Sequence, residues 1–207
     1  KEIKKIINKD KDETSIKEKI LELTKQYFEI THKNQQIEFK DQVRYAGRVF
    51  DEKEIVAAVD STLDFWLTLG SKGKLLERKL AEFIGTKYAT LVNSGSSANL
   101  IALTALTSPL IENPLKRGDE IITVAASFPT TVAPIVQNGM IPVFLDVDIG
   151  TYNIDITKLE DALSEKTRAI MIAHTLGNPF NIKAVMDFAK KNNLYVIEDA
   201  CDAKFKI

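Results

Sequence analysis

The sequence predicts an α/β domain with a largely parallel sheet and helices layered on both faces. Two observations carry this expectation. From residue 88 onward, short apolar runs alternate with helical segments, as they do where parallel strands are joined by crossover helices. The clearest unit spans residues 170–203. Ile170, Met171, Ile172 and Ala173 form one apolar run and Tyr195, Val196 and Ile197 another, and between them Ala184, Val185, Phe188 and Ala189 recur at helical spacing. Continuous runs of this kind suit strands covered on both faces, and the crossover joining them is right-handed. Glu198 and Asp199 then fall at a strand's carboxyl end, where open α/β sheets bind ligands. A carboxylate there either pairs with a cationic group, such as a protonated ring nitrogen, or is a solvated acid. Position alone does not separate the two.

Composition narrows the classes. The 207 residues are 44% hydrophobic and 28% charged, as in an ordinary globular protein of one domain or one and a half. A net charge of −1 gives no reason to expect nucleic acid or an anionic membrane as partner. No apolar run approaches the roughly 20 residues of a membrane span, and the Lys/Glu/Asp-rich start lacks the apolar core of a secretory signal. Cys201 is the single cysteine, which excludes an internal disulfide or a multi-cysteine metal site within this chain. No metal site is expected, and the cytoplasm is the default location. Lys1 in place of a Met, and an end at Ile207 soon after a strand, are what a fragment of a longer protein would show.

In chain order, residues 1–11 are charged and expected to fray. Thr14 or Ser15 is placed to cap a helix to about residue 28, with Ile16, Ile20, Leu23 and Tyr27 on one stripe. The polar residues 31–42 read as a connection, and 44–50 lead into a second helix over 51–67. Asp51 caps it, and Ile55, Val56, Val59, Leu63 and Trp66 form its apolar face. Gly70 and Gly73 bracket a turn before a third helix over 74–84, which Gly85 ends. Expected strands follow at 88–92, 120–124 and 141–145, with helices over 98–106, 130–137 and 156–163. Pro134 is expected to kink or shorten the middle one. The organisation expected is an N-terminal helix and connection over 1–42, then the first portion of a larger α/β domain over 43–207.

The strongest local signal is the turn Asn93, Ser94, Gly95, Ser96, Ser97 between a strand and a helix. Amides at a helix start attract anions, and small residues let a phosphate approach the backbone. A plain serine cap is the competing reading. The turn lacks the Gly-Lys-Ser/Thr ending of a nucleotide P-loop and the Gly-x-Gly-x-x-Gly dinucleotide pattern. Phe128 follows a strand end, placed to lie on a planar ligand or to be core. His174, just past another strand, is either an acid/base or a hydrogen-bonded structural residue. The order of these residues says more than any one of them. A phosphate turn, a stacking aromatic, a histidine and a strand-end carboxylate all sit near carboxyl ends of one sheet. A planar, phosphorylated, cationic heteroaromatic suits all four, and pyridoxal or pyridoxamine phosphate has that shape.

Longer segments carry a family resemblance. They are Gly95 to Leu100 with Ala102 to Pro109, Ile122 to Ala126, Phe128 to Val132, Asp146 to Asp148, Ile170 to Asn178, and Glu198 with Asp199. Over residues 49–203 the chain resembles the DegT/DnrJ/EryC1-type sugar aminotransferase/dehydratase family of fold-type I vitamin B6 enzymes. Within it the likeness is greatest to the C3 dehydrases acting on CDP-4-keto-6-deoxyglucose. The resemblance implies the three-layer α/β/α large domain of the aspartate-aminotransferase fold, truncated, with later strands and a small domain missing. It implies cofactor contacts from Gly95, Ser96, Ser97, Phe128, His174, Asn178, Asp199 and Asp202. In that assignment Ser96 and Ser97 hold the phosphate, Phe128 stacks on the ring, and Asp199 keeps the ring nitrogen protonated. Asp202 stands where many relatives have Gln, a departure shared with the dehydrase branch. His174 is also the one candidate catalytic residue on this chain.

The Schiff-base Lys, or the His that replaces it in the dehydrase branch, is expected beyond Ile207, as is a cysteine set for a [2Fe-2S] cluster. Residues 204–207 leave the family's pattern. The resemblance therefore implies a parent enzyme making 3,6-dideoxyhexoses for surface lipopolysaccharide. That parent would be a homodimer working with a flavin/iron–sulfur reductase. An aminotransferase using glutamate is the alternative, and the chain by itself is expected to be inactive and poorly soluble.

Overall fold

The computed structural model describes residues 13–33 and 50–203. The charged start, most of the expected connection, the approach to the second helix and the last four residues lie outside them. The described residues fall into two compact units that divide between Arg78 and Lys79, within helix α3.

The first unit holds α1 (Glu13–Thr31), α2 (Glu52–Leu63) and the start of α3 (Ser71–Ile84). Asp51 does cap α2. Its carboxylate accepts from the Lys53 amide at 2.8 Å, while the Glu54 side chain accepts from the Asp51 amide at 2.8 Å, a reciprocal capping box. The helix stops at Leu63, short of the expected residue 67, because Phe65 turns to a positive φ of 48°. Trp66 is consequently 68% exposed and off the apolar stripe. On α1 the expected stripe is also displaced. Leu23 and Tyr27 are exposed, and Phe28 is the buried residue, its ring against Phe50 at 5.8 Å. Gly73 lies inside α3 instead of in a turn, since that helix starts at Ser71. Gly85 ends it as expected. At φ +83° it lets its own amide and that of Thr86 return to the Ala81 carbonyl at 2.9 and 3.0 Å.

Charge ties α1 to α2. The Lys17 ammonium lies 2.7 Å from Asp60 and 2.6 Å from Asp64, and Lys72 also pairs with Asp60. Hydrogen bonds from Lys17 and then Lys72 hold the Asp60 carboxyl down at about 2, below its ordinary 3.8. The same bonds to Asp60 and Asp64 push Lys17 up to about 12.

The second unit is organised by a four-stranded parallel sheet of order β2-β1-β3-β4. Its strands are β1 (Glu120–Val124), β2 (Ile141–Leu145), β3 (Thr167–Ala173) and β4 (Tyr195–Asp199). The central strands are apolar on both faces for the expected reason. Ile121, Ala169 and Met171 pack with Leu103 of α4 (Gly95–Ala105) and Ile135 of α5 (Pro129–Gln137). Ile122, Val124, Ile170 and Ile172 pack with Val185, Phe188 and Ala189 of α6 (Ile182–Lys191). Helices thus cover both faces, giving the three layers. The chain runs outward from β1 to β2, then returns past β1 to β3 and β4. That reversal leaves the crevice at the carboxyl ends of β1 and β3 where ligands bind in such sheets.

Three expectations change. Residues 88–92 are not among the four strands. The expected helix over 156–163 is a short 3-10 turn at Ile156–Lys158 followed by irregular turns. Pro134 sits inside α5 without shortening it, because the side chain of Asn99 bonds the Thr130 carbonyl at 3.2 Å. That is the carbonyl which the missing Pro134 N–H would have served.

Because Asp60 is held low in the folded state, its contribution to stability is present above pH 3.8 and lost as the pH falls toward about 2. Carbon-13 NMR of the carboxyl should show a midpoint near the lower value, moving back toward the ordinary one in Lys17→Met.

Candidate functional site

Asp199 is the best-defined polar group in the second unit. It ends β4, is 8% exposed, and points to the α4/α5 side of the sheet. Its Oδ2 accepts from Asn99 Nδ2 at 2.8 Å and from Thr131 Oγ1 at 2.7 Å, and its Oδ1 accepts from the Cys201 amide at 3.1 Å. A carboxylate offers about four acceptor positions. Three are filled, so one remains, on Oδ1. An ion taken out of water without partners costs several kcal/mol, and these three donors offset that cost.

The same contacts gather the other residues singled out in the sequence. Asn99 lies on α4, three residues after Ser96, or about 4.5 Å along the axis. Ser94 caps α4 and its hydroxyl accepts from the Ser97 amide at 3.2 Å. The helix therefore starts at Gly95, earlier than expected, and places Ser96 and Ser97 in its first turn. Its first internal hydrogen bond runs from the Ala98 amide to the Ser94 carbonyl. The Gly95 and Ser96 amides accordingly have no carbonyl within the helix, and they carry its positive end. A Cβ on Gly95 would stand 4.0 Å from Cys201 Sγ, so this turn lies beside the residue whose amide bonds Asp199. Thr131 lies in the first turn of α5 and its amide bonds the Phe128 carbonyl at 3.0 Å. Phe128, the N-cap of that helix, is 70% exposed.

His174, Asn178 and Asp202 are placed differently. His174 is 4% exposed, with its ring stacked on Phe180 at 4.3 Å and 7° between planes. Its Nε2 stands 3.1 Å from Glu198. Phe180 belongs to the core on the α6 side, so the His174 ring lies across the sheet from the Asp199 carboxylate. Asn178 donates to the Thr151 carbonyl at 3.0 Å and is exposed. Asp202 accepts from the Leu176 amide at 3.1 Å and its own carbonyl would meet a Cβ on Gly177 at 2.9 Å. These two side chains brace the turn after β3, where Leu176 and Gly177 both have positive φ.

Sequence reasoning passed over Asn99 and Thr131 as functional residues. A signal existed. Asn99 lies four residues before the buried Leu103, and Thr131 four before the buried Ile135, so each is a polar residue on its helix's apolar stripe. Such positions require a buried partner.

Residues 49–205 match the DegT/DnrJ/EryC1/StrS aminotransferase family. The chain belongs to that family. It is 58% identical over 159 residues to a lipopolysaccharide biosynthesis protein, RfbH, of Salmonella typhimurium, covering 76% of this chain and 36% of that one. It is 49% identical over 162 residues to a dTDP-4-dehydro-2,6-dideoxy-D-glucose 3-dehydratase of Saccharopolyspora spinosa, covering 78% and 35%. Its fold superposes with a TM-score of 0.71, at 38% identity, on an E. coli GDP-4-keto-6-deoxy-D-mannose-3-dehydratase solved with bound hydrated PLP. There it covers 78% of this chain and 41% of the other. The chain thus spans little more than a third of its curated relatives' length, and its fold is the α/β/α arrangement that the resemblance implied.

Thr131→Val removes one of the two donors to Asp199 Oδ2 at constant shape. It should lower stability by about 1–3 kcal/mol, read from the midpoint of urea unfolding, with an unchanged midpoint denying the bond any weight.

Proposed function

We propose that this chain forms the cofactor-binding part of a nucleotide-sugar C3 dehydratase that uses pyridoxamine or pyridoxal phosphate. The observation that carries the proposal is the buried Asp199 carboxylate, with three donors and one open acceptor position at a sheet's carboxyl edge. That position is suited to a ring N–H. The donor set fits the remainder of the cofactor. The Gly95 and Ser96 amides with the Ser96 and Ser97 hydroxyls suit a phosphate, and the exposed Phe128 ring suits a stacked heterocycle.

When bound, the cofactor supplies an amine that condenses with the sugar's C4 ketone and a cationic ring that draws electrons from it. Residues of this chain do the holding. Asp199 keeps the proton on the ring nitrogen, Phe128 fixes the plane, and the α4 start anchors the phosphate. His174 and Glu198, paired on the face opposite Asp199, stiffen the strand ends beneath the site. Asp202 and Asn178 hold the turn beside it. His174 is assigned this bracing role in place of acid/base catalysis because its ring is stacked and faces the α6 side.

In the net reaction the C3–O bond breaks, the hydroxyl takes up a proton and leaves as water, and two electrons with a second proton fill the position. A flavin/iron–sulfur reductase is proposed as the electron source, CDP-4-keto-6-deoxyglucose as the substrate, and a cytoplasmic homodimer as the working form. The name of the 58% identical relative favours lipopolysaccharide sugars as the destination, and the 3-dehydratase name of the 49% identical one favours chemistry at C3.

The complete gene product, given pyridoxamine phosphate, reductase and CDP-4-keto-6-deoxyglucose, should form a C3-deoxy sugar detectable by mass spectrometry as loss of one oxygen. A 4-amino sugar formed with glutamate would instead select a sugar aminotransferase, a reading that the family's name keeps in view.

A further inference from the structure

We propose that Asn99 is a positioning residue for Asp199, held in its donating orientation by the carbonyl that Pro134 leaves open. An Asn amide can present either its oxygen or its nitrogen to a neighbour, and shape hardly distinguishes them. Here both neighbours are acceptors. Asn99 Nδ2 lies 2.8 Å from Asp199 Oδ2 and 3.2 Å from the Thr130 carbonyl. In an unbroken helix that carbonyl would accept from residue 134, but Pro134 has no N–H to give. Turning the amide over would set its oxygen against two oxygens, leave the Thr130 carbonyl without a donor, and leave Asp199 Oδ2 with Thr131 alone. The proline inside α5 therefore fixes which end of Asn99 meets Asp199.

The consequence lies at Asp199. With Asn99 and Thr131 both donating, Oδ2 is filled, and the open acceptor position falls to Oδ1, beside the Cys201 amide. Asn99 thereby selects the oxygen that a ligand N–H meets. It does so from α4, the helix whose first turn carries the phosphate donors, so the carboxylate and the phosphate turn are registered to each other through one rigid element. This inference rests on the proposed cofactor. It adds that the site's preference for a ring nitrogen depends on a residue whose side-chain nitrogen bonds Asp199 and a backbone carbonyl.

The test compares two ligands by calorimetric titration of the full chain. One is pyridoxamine phosphate and the other is its analogue with a C–H in place of the ring nitrogen. Wild type should prefer pyridoxamine phosphate. Asn99→Ala should weaken pyridoxamine phosphate roughly tenfold or more, the size of one charge-assisted hydrogen bond, and leave the analogue within about twofold, a margin below half of one such bond. Pro134→Ala returns the helical N–H to Thr130 and should reduce the preference while α5 stays intact by circular dichroism. Equal weakening of both ligands in Asn99→Ala would reduce the residue to a structural one and overturn the inference. So would an unchanged preference in Pro134→Ala, the variant that decides should Asn99→Ala fail to fold. Wild type binding neither ligand, or both equally, would overturn the cofactor assignment and this inference together. A wild-type preference that survives in both variants would overturn the inference alone.

Discussion

A carboxylate buried at the end of a strand is the constraint from which the second unit's local design follows. Asp199 is 8% exposed, and a bare carboxylate there would be costly. Its three donors come from three different elements: Asn99 of α4, Thr131 of α5 and the Cys201 amide of the following turn. Satisfying one charge thus dictates where two helices sit on the sheet. Those helices also carry Gly95–Ser97 and Phe128, so the same three bonds assemble the proposed phosphate turn and stacking ring around the carboxylate.

Glu198 and Asp199 illustrate how a strand divides labour between neighbouring acids. Alternation sends them to opposite faces. Asp199 meets α4 and α5, whereas Glu198 reaches His174, whose ring is stacked on Phe180 in the other core. One carboxylate has three protein donors and keeps an acceptor position on Oδ1, and the other is engaged in holding β3 and β4 together at their ends. The turn beyond β3 is fastened separately, by Asp202 on the Leu176 amide and by the close approach that Gly177 permits.

Much of this was legible in the sequence, for identifiable reasons. The strands at 120–124 and 141–145 stand where their apolar runs lie; the first is buried on both faces, and the second, at the sheet edge, is partly exposed. The crossover helix and Asp199's place at a strand end followed from the same patterning. The 88–92 run misled because strand propensity does not specify a neighbour, and pairing is a long-range property. Residues 156–163 have helical periodicity, yet they hold only a 3-10 turn. On α1, Phe28 and not Tyr27 is buried, its ring against that of Phe50. For His174, position after a strand left an acid/base and a hydrogen-bonded structural residue both open, and the site role came from the family resemblance. Which face its ring would take depends on register with β4, which one strand's sequence does not contain. Asn99 and Thr131 were missed because their partner is 100 and 68 residues away, and only the polar interruption of an apolar stripe hinted at one.

The account's central claim is that Asp199 holds a proton on a bound ring nitrogen. Nitrogen-15 NMR of ring-labelled pyridoxamine phosphate bound to the protein tests it most directly, at a pH above that at which the free ring loses its proton. The account predicts the protonated-ring shift in wild type and its loss in Asp199→Asn. A deprotonated-ring shift in wild type, or a protonated one that persists in the variant, would contradict it.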